Sequence, residues 1–159
     1  MTTRKNNELS LQVLKKFRII YGSVRQHFRD VEQSCGITGS QLWIVHEIAG
    51  EPGIGISELA LRMSIHQSTC SQLVEKLTVR GLVIKERSTE DQRRVGLFLT
   101  EAATALLKQA PGPAEGLLPE ALQSLPEPVL VSLDASLREV VAQLRTHDDK
   151  LADSPLADL

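Results

Sequence analysis

From Leu14 to Val31 the apolar residues Leu14, Phe17, Tyr21, Val24, Phe28 and Val31 recur three and four positions apart. That spacing draws one stripe along a helix of roughly five turns. Lys15, Lys16, Arg18, Arg25 and Arg29 fill much of the remainder. Such a helix packs either on its own core or against a second subunit. Cys35-Gly36-Ile37-Thr38 ends it, with Cys35 in the loop and Thr38 placed to cap a second helix. In that helix Leu42, Trp43, Val45 and Ile48 form the apolar side, and Gly50-Glu51-Pro52-Gly53 closes it. Ile54-Gly55-Ile56 allows a brief strand. Ser57 is then expected to cap a third helix whose inner side is Leu59, Ala60 and Met63.

Ser64-Ile65-His66 makes a tight connection to a fourth helix, from about Gln67 to Arg80. Its inner stripe is Cys70, Leu73, Val74 and Leu77, and Gly81 occupies the position just past the helix that glycine favours. Two short β-like runs follow, LVIKE (82–86) and VGLFLT (95–100), separated by the polar segment RSTEDQRR (87–94). They predict a β-hairpin with a charged tip. EAATALLKQA (101–110) predicts another helix. Pro111, Pro113, Pro119, Pro126 and Pro128 keep helix between 111 and 128 short and broken. Leu130, Leu133, Leu137, Val140, Val141 and Leu144 form the stripe of a last helix, and the acidic tail from His147 onward is expected to fray.

The order helix, short helix, tight turn, helix, hairpin is that of a winged helix-turn-helix. The second helix of the turn must bury one stripe and offer a polar face to the major groove of DNA. Here Gln67, Ser68, Thr69, Ser71 and Gln72 supply short hydrogen-bonding side chains near the helix N-terminus, where phosphate is also attracted. Arg87, Arg93 and Arg94 at the hairpin tip suit an adjacent narrow groove or the DNA backbone. Asp91, awkward beside phosphates, is expected to orient Arg93 or Arg94 through a charge-assisted hydrogen bond.

Charge modifies this picture only slightly. The net charge of −2 argues at first against a polyanionic partner. Residues 57–100, however, carry seven Lys and Arg against five Asp and Glu, whereas 101–159 carry four against ten. The acidity lies in the C-terminal third, and the middle is mildly basic.

At these residues the chain resembles the MarR family of bacterial regulators, from about Leu14 to Leu144. DQRRVGLFLT (91–100) looks like the family's wing signature of Asp, Arg and a closing Leu-Thr. ISELALRMSIHQSTCSQLVEKLTVRGLVIKER (56–87) is similar to its helix-turn-helix, with the Leu-x-x-x-Gly-Leu-Val ending. The resemblance implies a mainly α fold with a small β wing, dimerised through N- and C-terminal helices. It implies three segments: an N-terminal dimerisation helix (1–35), a winged helix-turn-helix (36–100), and C-terminal helices completing the dimerisation region (101–159). Asp91 and Arg93 match the family's wing pair, with the arginine reaching the minor groove. The implied partners are double-stranded DNA, a second copy of the chain, and a small, often aromatic or phenolic, effector that releases it from DNA. The broken segment 111–128 departs from the family's more continuous helix.

Other readings carry less. Cys70 falls in the inner stripe, which marks a core residue and not a redox switch. Cys35, His46 and Glu47 have metal-capable side chains, but no histidine stands between His66 and His147 to complete a zinc set, so no metal or cofactor is expected. His27 is expected at the surface and His66 at a helix N-cap. Trp43 reads as core, or as the wall of a ligand cavity. No nucleophile–base set or phosphate-cradling glycine loop appears, so an enzyme is not expected. A winged helix used only for protein contacts is the rival reading, and the arginine-rich tip argues against it. No run of about 18 apolar residues or signal-peptide pattern is present, and two unpaired cysteines fit a reducing cytoplasm.

Overall fold

The computed structural model describes residues 2–159, with side chains from Arg4 onward. Seven helices and one two-stranded antiparallel sheet run in the order α1 (Thr2–Cys35), α2 (Gly39–Gly50), α3 (Ile56–Met63), α4 (Gln67–Val79), β1 (Val83–Arg87), β2 (Val95–Leu99), α5 (Glu101–Gln109), α6 (Leu117–Gln123) and α7 (Glu127–Ala142). Two short 3₁₀ helices, Asp149–Asp153 and Leu156–Asp158, end the chain.

α1 starts far earlier than the stripe beginning at Leu14 predicts. Residues 4–13 hold good helix formers and neither proline nor glycine, so nothing stops the helix from extending backwards. At about 1.5 Å per residue it spans roughly 50 Å. Cys35 is its last residue, not a loop residue, and Gly36, at φ 66°, turns the chain out of the helix. Thr38 caps α2 as expected. Its Oγ1 accepts from the Gln41 backbone N–H at 3.3 Å, while its own N–H donates to Gln41 Oε1 at 3.0 Å, a reciprocal capping box.

The expected cap at Ser57 is not formed. α3 begins at Ile56, and Gly55 holds the capping position without any side-chain bond. The reason lies in the loop before it. Gly53 N–H donates to the Leu97 carbonyl (2.8 Å), and Leu97 N–H donates to the Ile54 carbonyl (2.9 Å). This pairing with β2 fixes where the chain can turn into the helix, and it realises the brief strand expected at 54–56 as a bridge at Ile54.

The core gathers where the helix-turn-helix meets the wing. Leu42, Ile44, Val45, Ile48, Leu59, Cys70, Val74, Leu77 and Leu97 are all fully buried. α3 packs on α4, α4 on β1, and α2 on α4, β2 and α5, so α2 is the central post. The inner stripe Cys70, Leu73, Val74 and Leu77 is buried as its spacing predicts. β1 and β2 pair from Val83–Leu99 to Arg87–Val95, leaving the tip 88–94 between them.

The outer arms are different. Among the described side chains of α1 only Val24, His27 and Val31 are buried, while Leu9, Leu14, Phe17, Ile19, Ile20 and Tyr21 are each 40–68% exposed. No residue of α7 is buried. The proline-rich stretch folds as one short helix, α6, resting on α1.

Two expectations fail here for the same reason. His27 is buried, not at the surface, because α6 and the loop before it close over α1, and its ring lies 3.2 Å from the Pro113 carbonyl. The tail does not fray. It folds back onto the N-terminal ends of α2 and α4, with Pro155 buried, Ser40 Oγ donating to Asp158 Oδ1 (2.9 Å) and the His66 N–H donating to the Asp153 carbonyl (3.1 Å).

Candidate nucleic-acid interface

α4 presents the polar residues named above in two tiers. Gln67, Ser68 and Gln72 are exposed, whereas Thr69 and Ser71 are half-buried. Helical geometry accounts for this, since Ser68 and Gln72 lie opposite the buried stripe and Thr69 and Ser71 flank it. The same outward face continues through Glu75 and Val79, which the sequence reading passed over. Glu75 accepts an ion pair from Lys85 of β1 (2.6 Å) and so ties the helix to the wing. His66 is the N-cap residue of α4 but makes no side-chain cap, which leaves the first N–H groups of the helix without a side-chain partner there.

The wing tip is pinned by short local bonds. Ser88 Oγ accepts from the N–H groups of Glu90 (3.2 Å) and Asp91 (3.3 Å), Ser88 N–H donates to the Arg94 carbonyl (2.9 Å), and Arg94 N–H donates to the Asp91 carbonyl (2.9 Å). Asp91 Oδ1 accepts the backbone N–H of Arg93 (3.0 Å), and Asp91 Oδ2 lies 3.9 Å from Arg94 Nε. Asp91 thus acts on Arg93 through the backbone and on Arg94 through charge. Ser88 is the pin that sequence reading missed, although a serine three residues before an aspartate in a hairpin tip is a recognisable turn signal. Arg87, Arg93 and Arg94 are all exposed.

These three arginines line one side of an open cleft of about 1080 Å³ between the wing and α3, with Ser57, Glu58 and Leu61 across it. Arg62, on α3, is bound by carboxylates instead. It pairs with Glu51, with Glu58 at 3.1 Å and with Glu47 at 3.7 Å, and the bonds to Glu58 and Glu51 raise its pKa further. Free positive charge around the cleft therefore sits on the wing.

A second, smaller cavity of about 360 Å³ lies between α1, α2, α6 and the C-terminal tail. Trp43 is half-buried at its wall, with its Nε1–H donating to Glu47 Oε1 (3.1 Å). Of the sulfur groups, Cys70 is fully buried and burial pushes its thiol up to about 11, while Cys35 is half-buried and raised for the same reason. Among the described residues no cluster of three metal-capable side chains occurs, and no helix is long and apolar enough to cross a membrane.

A mainly α body whose helix-turn-helix runs into an arginine-tipped hairpin defines a winged helix-turn-helix protein. Residues 36–94 match the model of the MarR family, to which this segment is similar. The chain is similar to a putative transcriptional regulatory protein for the hcr operon of Thauera aromatica, 32% identical over 89 residues, a match covering 54% of this chain and 54% of the relative. It thus spans about half the length of that relative. Its likeness to the transcriptional repressor MdtR of Bacillus subtilis is 22% identity over 90% of this chain and 88% of the relative. A mutant MarR from E. coli complexed with operator DNA shares the fold, with a TM-score of 0.53 at 20% identity, covering 82% of this chain and 96% of that one.

Proposed function

We propose that the chain is a sequence-specific DNA-binding transcriptional repressor that acts in the cytoplasm as a homodimer and is released from its operator by a small molecule. The observation that carries this is the pairing of an α4 face rich in hydrogen-bonding side chains with a wing that holds Arg87, Arg93 and Arg94 exposed. Gln67, Ser68 and Gln72 reach base edges first, Thr69 and Ser71 contact phosphates at the flanks, and Arg93 enters the neighbouring minor groove with Arg87 and Arg94 on the backbone. Kinship with named repressors and the shared fold of a DNA-bound MarR support it.

The apolar residues left exposed on α1 and α7 support the dimer, because patches of this kind mark interaction surfaces. Two copies then set two recognition helices about 34 Å apart, one turn of DNA. The cavity beside Trp43, within the range of small-molecule sites, lies between the DNA-binding lobe and the long helix α1. A ligand there acts by binding one arm spacing more tightly than the other.

The test is binding to duplex DNA from the protein's own upstream region across a salt series. Tight, sequence-preferring binding that falls with salt is expected, and Arg93→Ala should weaken it by about 1–3 kcal/mol. Equal, weak binding to any duplex, unmoved by Arg93→Ala, would overturn the reading and leave a winged helix that serves protein contacts.

A further inference from the structure

The cavity beside Trp43 is closed on one side by the last residues of the chain. Ala152, Ser154, Pro155, Leu156 and Ala157 contribute to its lining, together with Trp43 and Phe28. Three anchors hold this strap. Asp158 accepts from Ser40 Oγ at the start of α2, and Ala157 packs so close to Gly39 that a Cβ there would lie 3.3 Å from its own. Asp153 accepts the His66 N–H through its carbonyl, and its Oδ2 lies 3.5 Å from His66 Nε2. His66 is the N-cap of α4, and Ser64 and Ile65, immediately before it, line the cavity. The strap therefore touches both the cavity and the root of the recognition helix.

The lining also has a definite charge. It is mostly apolar, with serine hydroxyls, and Glu115 is the one ionisable side chain among the described residues that line it. Glu115 is half-buried and has neither hydrogen bond nor ion pair among the described residues. The nearby imidazole of His27 is committed to the Pro113 carbonyl, and that of His66 to Asp153. An anion entering here would lose its hydration with no cation to receive it and would face a carboxylate. A neutral apolar molecule meets no such penalty, and a cation gains Glu115.

We propose that residues 149–159 form the closing wall of this cavity, which takes a neutral or cationic apolar molecule and excludes aromatic acids. This rests on the effector reading above and names its ligand class. Occupancy is transmitted to α4 because the strap that covers the ligand is bonded to His66.

Trp43 is the only tryptophan, so its emission reports on the site directly. Three probes share one apolar body: para-tert-butylbenzyl alcohol, the corresponding benzylammonium, and para-tert-butylbenzoate. The alcohol and the ammonium should perturb Trp43 with a Kd at least about tenfold lower than the benzoate. Glu115→Gln should remove the preference for the ammonium over the alcohol. In the full chain, Pro155→Asp should detach the strap and weaken alcohol binding about tenfold, with circular dichroism and duplex binding confirming the fold. Ala157→Phe, which adds bulk to the cavity wall and crowds the anchor at Gly39, should block the alcohol as well. Benzoate binding as tight as the alcohol, no binding of any probe, or unchanged alcohol binding in a folded Pro155→Asp or Ala157→Phe chain would each overturn the proposal. Probe binding at Trp43 without release of the operator would instead count against the release mechanism and leave the site standing.

Discussion

Gly96 shows how little room single residues have in this wing. A Cβ built on it would lie 2.9 Å from the Gly53 carbonyl oxygen and 3.1 Å from Gly53 Cα, both backbone atoms that cannot swing aside. Gly53 itself stands at φ 91°, a conformation that side chains resist. Gly96→Ala should therefore push β2 off the loop that it pairs with and cost about 1–3 kcal/mol of stability. A thermal melt with an unchanged midpoint would refute this. Cys70 carries a second prediction. Its thiol ionises near 9.0 when unperturbed and is pushed up to about 11 by burial. The folded state holds the proton more tightly, so this contribution is complete below about pH 9 and is lost as pH rises through about 11. Denaturant midpoints measured across that range should fall less steeply for Cys70→Ala than for the unaltered chain, by on the order of 2 kcal/mol at the alkaline end. The inner position of Cys70 was legible from its spacing alone, whereas the burial of His27 was not. The closing elements over His27 come from some 86 positions away.

Among the elements, α4 was the most legible. Its buried stripe follows from the helical period, and its exposed polar face follows from the stripe. The hairpin was equally clear, because two β-prone runs around a polar tip have few other folds. The beginnings of α1 and α3 were misread for different reasons. Helix extension into residues 4–13 needs only the absence of breakers, which a stripe does not mark. The start of α3 was decided by pairing of the preceding loop with β2, some 43 positions on (Ile54 with Leu97). The tail illustrates the same limit. DDKLADSPLADL looks like an acidic, unpatterned terminus, yet it is anchored by Ser40 and by the N–H of His66. Asp158 and Asp153 lie near the N-termini of α2 and α4, where carboxylates are favoured, and that preference becomes visible only once those ends are brought together.

For the whole molecule, the unpartnered apolar surface of α1 is the dominant fact. Phe17, Ile20 and Tyr21 are 40–64% exposed on a helix that the body touches only through its second half. Burying one such side chain is worth about 1.5–3 kcal/mol, so a carboxylate within this patch should break the proposed homodimer. Phe17→Glu is expected to convert the dimer to monomer in light scattering. It should also lower operator affinity by about a hundredfold, since a monomer engages one half-site at a time. A Phe17→Glu chain that remains dimeric would place the interface elsewhere. The acidic C-terminal third has its place at this scale too, since seven of its ten carboxylates lie on α7 and the tail and none on the wing.

The chain's own pattern determined the helix-turn-helix, the wing and the polar face of α4, because each depends on periodicity and turn chemistry within some thirty residues. Tertiary structure alone decided the register at which α3 begins, the burial of His27, the reach of Arg62 from α3 back to Glu47 and Glu51, and the strap that closes the cavity. Each of these is a contact between distant segments whose partners leave no periodic trace in either one. They exist only because the core of α2, α4 and β2 fixes where those segments meet.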